Sequence, residues 1–231
     1  MVRCRPAERT GKAAHVGQRS DGTETERSRL KAERRSNLLD AAAELVAARG
    51  YHGLRLEDLG AAVGISGPAV YRHFPNKEAV LVELLVGVSE YLHRGGENAA
   101  TEPDPAARVR ALVGFHLTFA LTSPRLIEIQ FRDLANLPDD ARHRVRSLQR
   151  AYVETWVRAL RDLDPSRSEE DARIRAHAAF GLLNSTPHSV GRVPVPVLEQ
   201  TLSTMSLTAL GVGGSSAAAA ATHPSEARTP S

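Results

Sequence analysis

Apolar residues recur along this chain every three to four positions, in blocks separated by Gly and Pro, as expected for successive amphipathic helices. Leu38, Ala42, Leu45 and Val46 share one face of a first predicted helix over residues 28–49, with Gly50 placed to end it. Leu56, Leu59 and Val63 predict a short second helix over residues 56–63, stopped by Gly64. The third spans residues 66–73, with Ser66 at its N-cap and Pro68 in the first turn, where the missing N–H costs nothing. Val80, Leu81, Leu84, Leu85, Val88 and Leu92 predict a fourth over residues 77–92, which Asn76 can cap and which Pro75 keeps apart from the third. Residues 93–105, polar and holding two Gly and two Pro, read as a linker. Further helices follow over residues 106–121, 124–135, 139–163, 169–184 and 197–210, giving an all-α fold of about nine helices. The ends, residues 1–28 and 211–231, lack apolar periodicity and read as disordered. The expected organisation is therefore an arm to residue 28, a helical head over 29–92, the linker, a helical body over 106–210 and a tail.

Composition narrows the chemistry. Hydrophobic residues make up 42% and charged residues 25% of 231 positions, the balance of a globular protein, and no apolar run is long enough to span a bilayer. The lone Cys4 cannot form an internal disulfide or a Cys-based zinc site, and the Arg-rich start lacks a signal peptide's apolar core, so a cytoplasmic location is expected. There is no Walker loop, G-x-S-x-G, H-E-x-x-H or supported carboxylate pair, and His143, His177 and His188 are too dispersed for a metal. No catalytic residue, cofactor or metal is therefore expected.

The net charge of +3 conceals an uneven distribution. Residues 1–35 carry ten Lys and Arg against five Asp and Glu, residues 36–94 carry five against seven, and the remainder is balanced. A basic arm ahead of a helical body is compatible with nucleic-acid contact, and Arg34 and Arg35 are its last members.

Two helices of about eight residues joined at Gly64 have the spacing of a helix-turn-helix, in which the second helix enters a major groove. Small Gly67, Pro68 and Ala69 would let the backbone approach DNA closely, while Ser66, Tyr71, Arg72, His73 and Lys77 supply polar groups for phosphates or base edges. The ordered set Gly50-Tyr51, Leu59, Ala62, Gly64-Ile65-Ser66, Val70-Tyr71-Arg72-His73-Phe74 and Asn76-Lys77-Glu78, within residues 36–92, resembles the DNA-binding domain of the tetracycline-repressor (TetR/AcrR) family. That resemblance implies Tyr71 and Lys77 on phosphates, Gly67, Pro68, Ala69 and Arg72 facing the groove, and His73 and Phe74 packing the motif. The chain departs from the family where Leu54-Arg55-Leu56 replaces the usual Thr or Ser opening the second helix. Loss of that cap costs about 1 kcal/mol unless Glu57 and Asp58 offset it through the helix dipole, and Arg55 is left able to reach a phosphate.

For the body the resemblance implies an effector cavity and a pair of dimerising helices. A homodimer would match a palindromic operator. The stripe Ala176, Phe180 and Leu183, with Leu198, Leu202 and Met205 on the last helix, is the expected interface, the rival reading being burial in the protomer itself. Polar or aromatic groups on apolar faces are the expected ligand contacts: His116, Phe119, Gln130, Phe131, Tyr152, Trp156, His177 and Asn184. Residues 179–189 are similar to family members that sense acyl-CoA thioesters, for which Arg125, Arg132, Arg173 and Arg175 would supply cations. The expected function is that of a ligand-responsive, homodimeric DNA-binding repressor. A helical protein-interaction scaffold and a constitutive DNA binder are the alternatives.

Overall fold

A computed structural model describes residues 21–212. Among them are nine α-helices: α1 Asp21–Arg49, α2 Leu56–Ala62, α3 Gly67–Val70, α4 Lys77–Ala99, α5 Pro105–Thr122, α6 Pro124–Asp133, α7 Asp139–Leu163, α8 Glu169–Leu183 and α9 Val195–Leu210. No strand occurs among the described residues; the only extended pairing is one isolated bridge, Val190 to Val193. The chain's punctuation explains most boundaries. Asn76, Asp104 and Ser168 each accept a hydrogen bond from a first-turn backbone N–H, so α4, α5 and α8 begin where a side chain satisfies an orphan donor.

Three expectations change. Residues 21–28, read as part of a disordered arm, are the first turns of α1; residues 1–20 and 213–231 lie outside the described residues. The helix expected over residues 66–73 is regular only through Val70 and continues as turns in which His73 and Phe74 donate to the Val70 carbonyl. The supposed linker is mostly helix, because α4 runs on to Ala99. Its Gly95-Gly96 pair is there for close approach. A Cβ at Gly95 would meet the Phe115 ring at 1.9 Å, and one at Gly96 the Tyr152 ring at 2.3 Å, so α5 and α7 lean on bare backbone. Only residues 100–104 separate α4 from α5.

Two apolar clusters hold the molecule together. The first joins α1, α2, α3 and the start of α4 through Leu38, Val46, Leu59, Val70, Phe74 and Leu81, and it is completed from the body by Ile129 of α6 and Val145 of α7. The second lies among α4, α5, α7, α8 and α9 around Trp156, Leu112, Leu160, Ala176 and Leu183. The head therefore has no fully private core, since part of its wall is built from the body.

The face expected for dimerisation is largely internal. Ala176 and Leu183 are fully buried, Leu198 and Leu202 nearly so, and Phe180 packs on Trp156 at 4.8 Å between ring centroids. These belong to the protomer's own core, and of the six residues assigned to the interface Met205 alone is exposed. An apolar stripe on a helix records that something covers it, not whether the cover is the same chain.

Candidate nucleic-acid interface and effector site

The turn between α2 and α3 is fixed by two glycines. Gly64 takes φ of +70°, which terminates α2 in a left-handed conformation, and the amide of Ile65 returns to the Gly60 carbonyl at 2.9 Å. A Cβ at Gly60 would stand 2.7 Å from the Ile65 carbonyl and 3.1 Å from Val70, so the two helices meet this closely only over glycine. Gly60 was not among the residues singled out from sequence, although a Gly inside an otherwise apolar helix pattern is a signal of close backbone approach.

This turn sorts the third helix into two sides. Val70 and Phe74 are buried in the head, while Ser66, Pro68, Tyr71 and Arg72 are exposed and Gly67 and Ala69 half-buried. Ser66 occupies the N-cap position in extended backbone, but its hydroxyl makes no capping bond. Tyr71 is 51% exposed, and its hydroxyl donates to Glu57 at 3.3 Å across from α2. That carboxylate beside it raises the phenol above its ordinary range and helps keep it a neutral donor. Lys77 at the start of α4 donates to the His52 carbonyl at 3.1 Å and lies 4.9 Å over the Tyr51 ring, which holds the ammonium at the outer edge of the head. Arg55 sits exposed at the N-cap of α2 without a side-chain cap, and Glu57 and Asp58 fill the first turn as the offset expected from sequence.

Arg34 is exposed, but Arg35 plays a structural part. Its Nε donates to Glu83 at 2.7 Å, a second nitrogen bonds the same carboxylate, a third donates to the His73 carbonyl, and the guanidinium lies 4.4 Å over Phe74. Arg35 thus ties α1 to α4 and to the end of the third helix, and its charge is shared with Glu83. His73 is half-buried with Nδ1 unpartnered. Burial first, and then the cations Arg35, Lys31, Arg34 and Arg72, push its imidazole below the ordinary range, so it is neutral at neutral pH. The grouping places the basic side of α1 beside the exposed end of the reading segment.

In the body, four residues from three helices converge with Asn184, the C-cap of α8. His116 of α5 lies 3.1 Å from the Tyr152 hydroxyl and 3.0 Å from Asn184 Oδ1. An amide oxygen only accepts, so His116 Nε2–H donates to Asn184 and Nδ1 accepts from Tyr152. Burial lowers the imidazole to about 4, against a smaller opposing effect of the Asn184 hydrogen bond, and burial also raises the Tyr152 phenol. Trp156 and Phe180 close around them, with Phe180 stacked at 5.5 Å on Tyr152. The Trp156 indole N–H is buried without an acceptor. Phe119 adjoins this group at 6.0 Å from the His116 ring. The remaining expected contacts lie elsewhere. Gln130 reaches Ser89 at 3.5 Å, Phe131 is 75% exposed on the outside of α6, and His177 is exposed with its ring 6.4 Å from Phe180.

The four arginines expected to receive a polyanion are all occupied. Arg125 contacts Glu44 and Glu128, Arg173 bridges Glu154 and Glu169, and Arg175 pairs with Asp171 while donating to the Ala209 carbonyl. Arg132 donates to the carbonyls of Val46 and Ala47 at the end of α1 and to Asp133. Asp133, buried, accepts from the Tyr51 amide at 3.4 Å. This Arg132-Asp133 pair binds α6 to the last turn of α1 and is the most direct polar link between body and head. Among the described residues no group of three or more His, Cys, Asp or Glu could hold a metal, and no helix is long and apolar enough to cross a membrane.

Comparison with known proteins agrees with this geometry. Residues 38–84 match the family described as bacterial regulatory proteins, tetR family, and residues 102–188 match the tetracyclin repressor-like C-terminal domain. The HTH-type transcriptional regulator EthR of Mycolicibacterium smegmatis is 30% identical over 177 residues, covering 71% of this chain and 76% of EthR. The HTH-type transcriptional repressor KstR2 of Rhodococcus jostii is 31% identical over 134 residues, covering 58% of this chain and 62% of KstR2, so the match spans less than two thirds of that relative. Among solved structures, AibR in complex with isovaleryl coenzyme A and operator DNA superimposes with a TM-score of 0.62 at 19% identity, covering 74% of this chain and 97% of AibR, a likeness of fold. A head whose third helix exposes one side, joined to an all-helical body and matched by both halves of one family, leaves a single assignment: the chain belongs to the TetR family of bacterial regulatory proteins.

Proposed function

We propose that this protein is a homodimeric transcriptional repressor that binds a palindromic operator and is released by a small molecule. The observation that carries the reading is the two-sided third helix: Val70 and Phe74 anchor it, and Ser66, Pro68, Tyr71 and Arg72 face outward beside the basic side of α1. In this reading Gly67 and Ala69 allow backbone approach to the groove, Tyr71 and Lys77 hold phosphates, Arg72 faces bases or phosphate, and Arg34 and Arg55 add flanking phosphate contacts. Arg35 and His73 position the reading segment instead of touching DNA. A cytoplasmic site of action goes with that partner.

The second copy is proposed to dock on the outer faces of α8 and α9, where Ile174 is 67% exposed and Val197 and Met205 also project into solvent. His177, Ala178 and Gly181 continue the α8 face and are small enough, apart from the imidazole, for close helix approach. An acyl thioester is the proposed effector class, supported by the isovaleryl coenzyme A in the AibR structure. A ligand that binds the DNA-free form 100-fold more tightly shifts the equilibrium by about 2.7 kcal/mol, enough for release.

The test is selection of random duplexes by the full chain, followed by footprinting. A two-fold symmetric site is expected, with Arg72→Ala relaxing its sequence preference. Recovery of no preferred sequence would leave a helical scaffold as the better reading. Titration of the Trp156 fluorescence with isovaleryl coenzyme A checks the effector, and a chain whose operator affinity no acyl thioester alters would be a constitutive DNA binder.

A further inference from the structure

The first turn of α2 carries two adjacent carboxylates with different surroundings. Asp58 is half-buried and paired with Arg49 at 2.9 Å. Glu57 is exposed, and no cation pairs with it among the described residues. Its side chain lies against the third helix. A Cβ built at Gly67 would stand 3.8 Å from Glu57 Cγ, and Glu57 Oε1 accepts from the Tyr71 hydroxyl at 3.3 Å. Gly67 and Tyr71 are one helical turn apart on the same stripe, so Glu57 runs beside the side of the third helix that the proposed function sets in the groove. Because Gly67 has no side chain, the third helix puts nothing of its own over the carboxylate at that level.

Stability does not account for this placement. Asp58 already supplies the first turn of α2 with negative charge, and the Glu57–Tyr71 contact is longer than the usual O–H···O range of about 2.5–3.0 Å, between two exposed side chains. Facing phosphates, an uncompensated carboxylate lowers affinity for every sequence. The loss is offset only where the carboxylate accepts a hydrogen bond from a base, and the base edges differ in what they present. Guanine O6 and N7 and thymine O4 are acceptors that repel a carboxylate. Adenine offers its N6 amine but sets the N7 acceptor beside it, whereas cytosine offers its N4 amine with no acceptor of its own alongside.

We propose that Glu57 is a specificity-determining residue that accepts a hydrogen bond from the N4 amine of a cytosine in each operator half-site. This deepens the operator reading given above and rests on it. On binding, the Tyr71 proton turns from Glu57 to a phosphate, and the cytosine amine takes its place on the carboxylate. Glu57 thereby discriminates among sequences and adds little to affinity, because the hydrogen bond it gains with cytosine is set against its repulsion of the phosphates.

The test repeats the selection of random duplexes with the full chain as wild type, Glu57→Ala and Glu57→Gln. Wild type is expected to select cytosine at one fixed position of each half-site. Glu57→Ala is expected to lose the preference at that position alone, and Glu57→Gln to shift it towards adenine, whose N6 and N7 suit an amide. On the selected site, N4-methylcytosine at that position covers the amine in the major groove and is expected to weaken wild type about tenfold while leaving Glu57→Ala unchanged. A merely structural Glu57 would lower the unfolding temperature of both variants and scale their affinity equally on all sequences. Base preferences identical in all three proteins, a preference lost at a base other than cytosine, or an equal penalty from N4-methylcytosine in wild type and Glu57→Ala would overturn the proposal. Recovery of a symmetric site whose preferences neither substitution alters defeats this inference alone. Recovery of no site by the wild type defeats the operator reading and this inference with it.

Discussion

Lowering the pH is expected to expose the cost of keeping His116 neutral. The imidazole is fully enclosed, with both nitrogens occupied by Tyr152 and Asn184, and burial lowers it from 6.5 to about 4. A group whose folded value lies below its unfolded value binds fewer protons in the native state, so stability falls as pH drops through this window and is recovered above about 6.5. The two values give a loss on the order of 2 kcal/mol between about pH 7 and about pH 5, most of it below pH 6.5. Carboxylates such as Glu154, held low by its hydrogen bond to Arg173, lose stability in the same direction, so wild-type data alone cannot assign the effect. His116→Asn retains a polar side chain but cannot titrate. Urea unfolding of both proteins across this range is expected to show the variant less stable near neutrality and flatter with pH by about 2 kcal/mol. Parallel pH profiles for the two proteins would refute the assignment of a buried neutral imidazole.

Other perturbations follow from the same contacts. Gly60→Ala places a Cβ 2.7 Å from the Ile65 carbonyl and should cost about 1–3 kcal/mol by overpacking, with operator affinity lost as the turn opens; unchanged thermal unfolding would contradict the close approach. Arg132→Ala removes the bonds from α6 to the end of α1 and leaves buried Asp133 without its cation, a loss of about 2 kcal/mol after allowing for the partly exposed guanidinium, measurable by urea unfolding. If α8 and α9 form the dimer face, Ile174→Asp should yield monomers in sedimentation velocity while the protomer remains folded; a persistent dimer would move the interface elsewhere.

What could be read from sequence was local. Asn76, Gly64 and Pro68 announce their turns through their own backbone chemistry, and the order of Tyr71, Arg72, His73 and Phe74 fixes which side of the reading segment is buried. His116, Tyr152, Trp156 and Asn184 were separable from ordinary core because each brings a polar atom to an apolar face, and the fold brings them together. What escaped depended on distant partners. Nothing near Arg35 reveals Glu83, 48 residues away, and without it the arginine looks like one more member of a basic cluster. Gly95-Gly96 in a polar stretch looks like a break until Phe115 and Tyr152 are seen against it. The small-residue face of α8 suits a neighbour in the same chain as well as one in another, so Phe180 was expected at a dimer interface and instead packs, half-buried, against Trp156 of its own chain. The packing of Phe180 on His116 and Tyr152 in turn supplies an aromatic wall of the proposed effector site that the sequence pattern alone assigned elsewhere.

The central claim, that the exposed side of the third helix and the start of α4 hold DNA, is tested most directly by a salt titration of operator binding with Lys77→Ala beside wild type. Each phosphate contact contributes about 0.9 to the slope of log affinity against log salt, doubled by a two-fold dimer. The account predicts that Lys77→Ala binds more weakly and with a slope reduced by about 2. A variant that matches wild type in both affinity and slope would contradict it.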